Sequence, residues 1–153
     1  MIEIKIEAEK LQKALEEVVA KSLDRRPLMR KLAGIMHGAV KQNFEEEGRP
    51  KWVPLSPKTI KAREKKGYWP GYILQQIGRL KSSISMYSDN DCAMVGTNVI
   101  YAAIHQFGGK AGRGRKVTIP ARPFLKLTDE DLEKILQTVE EYLKISRSLL
   151  NQP

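Results

Sequence analysis

One stretch of this chain carries an apolar stripe that only a long amphipathic helix places on a single face. Pro27 suits the first turn of such a helix, and Gly48 followed by Pro50 forms a natural stop. Between these limits the apolar residues recur at the spacing of successive helical turns: Leu28, Leu32, Ile35, Met36, Ala39, Val40 and Phe44. The sequence therefore predicts a long helix with this whole stripe, Ile35 included, buried in a core.

Capping residues and apolar spacing predict four further helices. Ser56 and Pro57 begin a short basic helix that ends at Lys66 and is closed by Gly67. Its cations, Arg63 among them, leave it little apolar surface, so it is expected to lie on the protein surface. Thr128 and Asp131 match a capping box at the start of the last helix, which is followed by a frayed C-terminal tail. A first helix is predicted from about residue 8 to residue 22, and a short one from 99 to 107 with its cap at residue 98.

Short alternating runs predict strands. Ile2, Ile4 and Ile6 alternate with charged residues, which is the period of a half-buried strand. The runs SISMYS and CAMVGT, separated by a polar turn at 88–91, predict a β-hairpin. A further strand is predicted at 117–119. The expected fold is α+β, with a small antiparallel β-sheet packed against two or three longer helices.

Length and composition limit the class of protein. The chain has 153 residues, so we expect a single domain over 1–153. No apolar run approaches the roughly 20 residues that span a bilayer, so no membrane partner is expected. Cys92 is the one cysteine, which excludes an internal disulfide and a metal site built on thiolate pairs. No cofactor is predicted, and a protein made in a reducing cytoplasm is expected.

The net charge of +9 is unevenly distributed along the chain. Basic residues dominate 58–81, and acidic residues dominate the last helix, 129–147. This polarity suits contact with DNA, and it equally suits head-to-tail packing of identical subunits.

The sequence does not assemble a catalytic set. His37 lies beside the apolar stripe and is interpreted as a structural histidine. His105 needs a nucleophile or a carboxylate to act as a general base, and the stretch 98–127 around it contains no acid. Cys92 begins an alternating strand and is interpreted as a core residue. A small hydrolase that uses His105 is therefore an unfavoured hypothesis.

A glycine-rich loop near 109–117 is the candidate for contact with nucleic acid. Its cations, Lys110, Arg113, Arg115 and Lys116, stand among glycines, which predicts a mobile segment that follows a phosphate backbone. The alternative is a loop solvated by its own charges or ordered only in an assembly. Together with the basic helix 57–66, this loop supports the hypothesis of a non-specific DNA-binding module.

Two arginine-bearing elements stand out: GRL at 78–80 and PARPFL at 120–125. Pro120 and Pro123 stiffen the backbone on either side of Arg122, and Phe124 anchors the segment in the core. A guanidinium held in this way bonds carbonyls or a carboxylate in fixed geometry. The sequence leaves open whether these elements are local braces or parts of an interface.

Four motifs, in order, resemble the phage virion morphogenesis family, the tail completion proteins of Mu-like and P2-like phages and prophages. They are NFEEEGRPKWVPLSPKTIKAR, ILQQIGRLKSSI, VGTNVIYAAIHQFGG and IPARPFLKL, and with the flanking helices they cover about 28–143. The resemblance implies a structural virion assembly protein without enzymatic activity, located in the virion and assembled in the cytoplasm of the bacterial host.

The resemblance also implies partners and emphasises certain positions. Related neck and tail-end proteins form rings, often of six subunits, so the expected partners are further copies of this chain and other tail or neck proteins. Nine positions are implied as interface or fold-bracing candidates: Trp52, Arg79, Tyr101, His105, Gln106, Phe107, Arg122, Pro123 and Phe124.

Overall fold

The structure is a computed structural model that describes residues 2–3, 9–21 and 23–150, with side chains described for 2–3, 11–21 and 23–145. The described residues form six α-helices: α1 (Glu9–Ala20), α2 (Arg26–Glu45), α3 (Pro57–Lys65), α4 (Arg79–Ser82), α5 (Ala102–Phe107) and α6 (Asp129–Leu150). They also form five strands: β1 (Ile2–Glu3), β2 (Ser85–Ser88), β3 (Ala93–Thr97), β4 (Gly109–Ala111) and β5 (Val117–Ile119). None of these helices has the length and apolarity that crossing a membrane requires.

Helix α2 is the predicted long helix, and its apolar stripe is buried with one exception. Leu28, Leu32, Met36, Ala39, Val40 and Phe44 are all buried, and Met29 and Ala33 join them. Ile35 is only half-buried, so the prediction that it belongs to the core was wrong. The buried face is centred on Leu32 and Met36, which leaves Ile35 on its flank.

The strands form two small antiparallel sheets, which confirms the α+β class. The first sheet has the order β1–β3–β2, and the β2–β3 pair is the predicted hairpin. Ile2 pairs with Thr97 and Glu3 with Gly96, while Ile4 and Ile6 lie outside the described residues. In the second sheet, β4 and β5 form a hairpin across a 3₁₀ turn at Arg113–Arg115, so part of the predicted basic loop is strand.

The predicted caps are present at α3 and α6. The hydroxyl of Ser56 accepts a bond from the Thr59 amide at 3.3 Å. At α6, the Thr128 amide donates to Asp131 Oδ2 at 2.9 Å, and the Asp131 amide donates to Thr128 Oγ1 at 3.2 Å. Helix α5 begins at Ala102, three residues later than predicted. Helix α6 continues to Leu150, and residues 151–153 of the predicted frayed tail lie outside the described part of the chain.

The described residues fall into two compact units, and the prediction of one domain over 1–153 stays a prediction. The first unit comprises 2–3, 40–85 and 96–126, and its apolar core includes Val40, Phe44, Trp52, Ile73, Leu80, Ala102, Phe124 and Leu125. The second unit comprises 9–21, 23–39, 86–95 and 127–150. In it α1 packs against α6, and its core includes Leu11, Val18, Leu28, Leu32, Met36, Val95, Ile135, Val139 and Leu143.

A tight turn follows α2 and positions Trp52. Gly48 has φ +99°, a conformation that favours glycine. A Cβ atom at this position would lie 2.5 Å from Trp52 Cδ1 and 2.6 Å from the Pro50 carbonyl oxygen. The Arg49–Pro50 peptide bond in the same turn is cis. The Trp52 amide donates to the Glu47 carbonyl at 2.8 Å, and the turn thereby delivers the indole to the core of the first unit.

Candidate functional site

Side chains from the end of α2 and from α5 hold the PARPFL segment by its backbone. Asn43 is 1% exposed, and its Nδ2 donates to the carbonyls of Phe124 at 2.7 Å and Lys126 at 3.0 Å. Gln106 makes two bonds with Leu125: its Nε2 donates to the carbonyl, and its Oε1 accepts from the amide, both at 2.9 Å. These bonds fix the course of the chain through the segment.

Aromatic packing anchors the same segment. Phe124 is fully buried, and its ring centroid lies 5.4 Å from that of Phe44. Trp52 meets Phe44 edge to face at 5.8 Å, and its Nε1 donates to the Pro123 carbonyl at 3.3 Å. Three aromatic rings and one indole bond therefore hold Pro123 and Phe124 against the end of α2.

Arg122 is held in fixed geometry by main-chain oxygens. Its side chain is buried, with Nε donating to the Val53 carbonyl at 2.8 Å and Nη2 to the Pro54 carbonyl at 3.0 Å. The Arg122 amide donates to the His105 carbonyl at 2.7 Å, which ties the segment to α5. A guanidinium stays protonated in proteins, and carbonyl oxygens do not neutralise it, so Arg122 places a positive charge at this position.

These elements surround an open pocket of about 830 Å³ within the first unit. The lining residues come from the stretches 53–59, 74–80 and 117–122, together with Arg63, Tyr101 and His105. Arg79 lies over the ring of Tyr101, with its guanidinium carbon 5.9 Å from the ring centroid. Tyr101 meets His105 edge to face at 5.9 Å. We call this the arginine pocket, because Arg63, Arg79 and Arg122 line it.

The arginine pocket is electropositive. No Asp or Glu lines it, and none of its three arginines forms an ion pair with a carboxylate in the part of the chain that the structure describes. Burial lowers the pKa of Arg63, an effect that the negative charge of Glu47 opposes. Burial, followed by the charge of Arg63, lowers the pKa of Arg122. Burial, followed by the charge of Arg122, lowers the pKa of His105.

Arg63 is a pocket residue that the sequence interpretation assigned to an exposed basic helix. It is 6% exposed, and its Nη1 donates to the Tyr72 carbonyl at 2.9 Å. The interpretation of Arg63 as a surface cation was wrong because one side of α3 faces the core of the first unit. Arg63 stands three residues after half-buried Ile60, so it lies on the face of α3 that turns inward. That spacing was the signal available in the sequence.

The cations of the basic loop are exposed, as contact with a phosphate backbone requires. Lys110 lies in β4, Arg113 and Arg115 in the 3₁₀ turn, and Lys116 just before β5. Arg115 has φ +54°, and Gly114 directly before it has φ +70°. The mobility and the DNA contact predicted for this loop stay predictions.

The remaining candidate residues are distributed between pocket, core and surface. Phe107 is 70% exposed at the end of α5, and Ile100 just before this helix is 98% exposed. His37 is half-buried on α2, and Cys92 is half-buried just before β3. No group of three or more His, Cys, Asp or Glu side chains within the described residues is arranged to hold a metal ion.

Comparison with known proteins identifies the family. The model of the phage virion morphogenesis family matches residues 6–144. The chain belongs to this family. Its members are structural virion assembly proteins, so the chain has a structural role in phage virion assembly.

Individual relatives agree with this placement. The chain is 49% identical over 146 residues to the Mu-like prophage FluMu G protein 2 of Haemophilus influenzae, which covers 95% of this chain and 98% of that protein. It is 30% identical over 143 residues to the putative capsid assembly protein G of Escherichia phage Mu. That alignment covers 90% of this chain and 91% of the phage Mu protein. It is also 36% identical over 96 residues to the uncharacterized protein MJ0331 of Methanocaldococcus jannaschii. That alignment covers 58% of this chain and 67% of the archaeal protein. No solved structure gives a significant match to the chain.

Proposed function

We propose that this protein completes the phage tail or joins head and tail, through ring-like self-association and docking to other virion proteins. The observation that carries the proposal is the family match over 6–144. The protein is assembled in the cytoplasm of the bacterial host and becomes part of the virion. It makes or breaks no bond in a substrate.

The surface of the first unit supports a role in protein contact. The large apolar side chains of Ile77, Ile100 and Phe107 are 67%, 98% and 70% exposed, and a protein partner that covers them would remove apolar surface from water. His105, the residue nearest to a catalytic candidate, stands among arginines in a pocket without a carboxylate among the described residues. A general base in that position lacks the acidic partner that would orient it.

Deletion of the gene in an inducible phage or prophage tests this function. We expect lysates with filled heads and tails that stay separate or incomplete, a loss of infectious titre of several orders of magnitude, and restoration by the gene supplied in trans. Negative-stain electron microscopy shows whether heads and tails are joined, and plaque counts measure the infectious titre with and without the gene in trans. Joined, infectious particles at the normal titre in the deletion strain would contradict the proposal.

A second candidate function, non-specific contact with DNA, is favoured by the exposed cations of the β4–β5 hairpin. Replacing Arg113, Arg115 and Lys116 by Ala removes three candidate phosphate contacts. The slope of log affinity for duplex DNA against log salt should then fall by about 3, since each contact contributes roughly 0.9.

A matched variant controls for total charge. Lys31, Lys41 and Lys134 are exposed outside the hairpin and outside α3, so their replacement by Ala removes the same charge. Binding that weakens equally in both variants, or that is absent at low salt, would exclude a DNA site at the hairpin.

A further inference from the structure

The arginine pocket combines an apolar rim with a charged interior. Val53, Ile77 and Val117 line it and are 53%, 67% and 55% exposed. Exposed apolar side chains around arginines are typical of the centre of a protein interface rather than of a phosphate-binding groove. A nucleic-acid backbone is charged and offers less apolar surface than a protein partner to cover this rim, so the lining favours a protein occupant.

The interior of the pocket has unused capacity for hydrogen bonding to an anion. Nε of Arg63 and Nδ1 of His105 are buried and have no hydrogen-bond partner among the described residues. Arg79 is exposed at the pocket and contacts the ring of Tyr101. Like charges collected in a partly buried site are unfavourable until an opposite charge is supplied. A carboxylate suits these arginines, since a guanidinium bonds its two oxygens in a fork.

The chain itself carries a matching set of carboxylates on α6. Asp129, Glu133 and Glu140 follow each other at i, i+4 and i+11, so they lie along one line of the helix. The line is about 16 Å long at the helical rise. All three residues are exposed, and none forms an ion pair with another described residue. We call this the acidic line.

We infer that the arginine pocket of one copy of this chain binds carboxylates of the acidic line on a second copy. The inference rests on the proposed self-association and names its two surfaces. The surfaces differ, so the contact is head-to-tail, and repetition with closure gives a ring. Each subunit then presents one pocket to one neighbour and one acidic line to the other.

Charge reversal on each surface tests the inference with the full chain. Arg79→Glu reverses an exposed pocket charge, and Glu133→Arg with Glu140→Arg reverses the acidic line. Sedimentation and native mass spectrometry at low salt should show the wild type as a multimer. Each variant alone should fall to the 17.4 kDa monomer, with self-association weakened at least about tenfold.

Mixing the two variants gives the sharper result. The Arg79→Glu chain retains a normal acidic line, which the normal pocket of the other variant binds. Its reversed pocket in turn attracts the reversed acidic line of the other variant, so unlike chains can make both contacts. The mixture should therefore form multimers in which the two variants alternate, although each variant alone stays monomeric. Combining all three substitutions in one chain should restore multimers, since the reversed surfaces again attract.

Charge reversals elsewhere on the chain serve as controls for the two reversed surfaces. Lys31→Glu on α2 and Glu16→Arg on α1 change exposed charges outside both surfaces and should leave association unchanged, and circular dichroism should show every variant folded. Persistent multimers in either reversed variant would overturn the inference while leaving self-association intact. Arg79→Glu that weakens DNA binding without altering association would assign the pocket to nucleic acid and also overturn it.

A wild type that stays monomeric at low salt and high concentration would overturn both the inference and the self-association on which it rests. The role in virion assembly would then be judged separately by the deletion phenotype.

Discussion

Phe124→Ala should lower the free energy of unfolding by about 3–5 kcal/mol. The Phe124 ring is fully buried, and its centroid lies 5.4 Å from that of the Phe44 ring. Residue 124 directly follows Pro123, whose carbonyl accepts a hydrogen bond from the Trp52 indole. Truncation leaves a cavity that rigid neighbours, fixed by the turn at Gly48, fill only in part. Urea denaturation monitored by tryptophan fluorescence and by circular dichroism measures the change.

Phe107→Ala is the matched control for this substitution. It makes the same chemical change at a ring that is 70% exposed, so the free energy of unfolding should move by no more than about 0.5 kcal/mol. Phe107 is also a candidate interface residue, so this variant separates the contribution of an aromatic ring to folding from its contribution to assembly. Equal losses in the two variants would show that the core of the first unit is placed wrongly.

Asn43→Ala should lower the free energy of unfolding by about 3 kcal/mol, although Asn43 is polar and the helix gains a better helix former. The substitution removes both donors to the Phe124 and Lys126 carbonyls and the acceptor of the Arg49 Nε bond, which is 2.7 Å long. A buried polar group left without a partner costs about 1–3 kcal/mol. Denaturant unfolding again measures the difference.

Two neighbouring variants sharpen this prediction. Gln42→Ala changes the exposed residue next to Asn43 and should leave stability within about 0.5 kcal/mol of the wild type. Asn43→Asp keeps the shape but replaces the donor by a carboxylate that cannot donate to two carbonyls, so it should destabilise at least as much as Ala. A stable Asn43→Asp protein would refute the assignment of these bonds.

The features that the sequence predicts well are those set by local physics. Helix α2 follows from the period of its apolar residues, and α3 and α6 begin where Ser56 and Thr128 satisfy free backbone amides. The β2–β3 hairpin follows from two alternating runs and a polar turn, in which Asp89 accepts bonds from the amides of Asp91 and Cys92 at 2.8 Å. Each of these signals lies within a few residues of the element it determines.

The features that the sequence does not predict depend on distant partners. Asn43 lies beside the apolar stripe, where a polar residue is expected to face solvent. The carbonyls to which its side chain donates, those of Phe124 and Lys126, lie more than eighty residues later in the sequence. By residue type alone, Arg63 is indistinguishable from the other cations of α3. Its burial depends on the hydrogen bond that its guanidinium donates to the Tyr72 carbonyl, which belongs to a different part of the chain. The arginine pocket gathers residues from α3, α4, α5 and PARPFL, and no single motif contains it.

Arg122 is positioned through the carbonyl oxygens of Val53 and Pro54, and every amino acid offers a carbonyl at those two places. The side chains at 53 and 54 are therefore free to change between relatives without displacing the guanidinium. Residues at the rim of the pocket can therefore change to recognise a new partner while the Arg122 guanidinium keeps its position. Binding specificity can evolve in this way without a change in the fold.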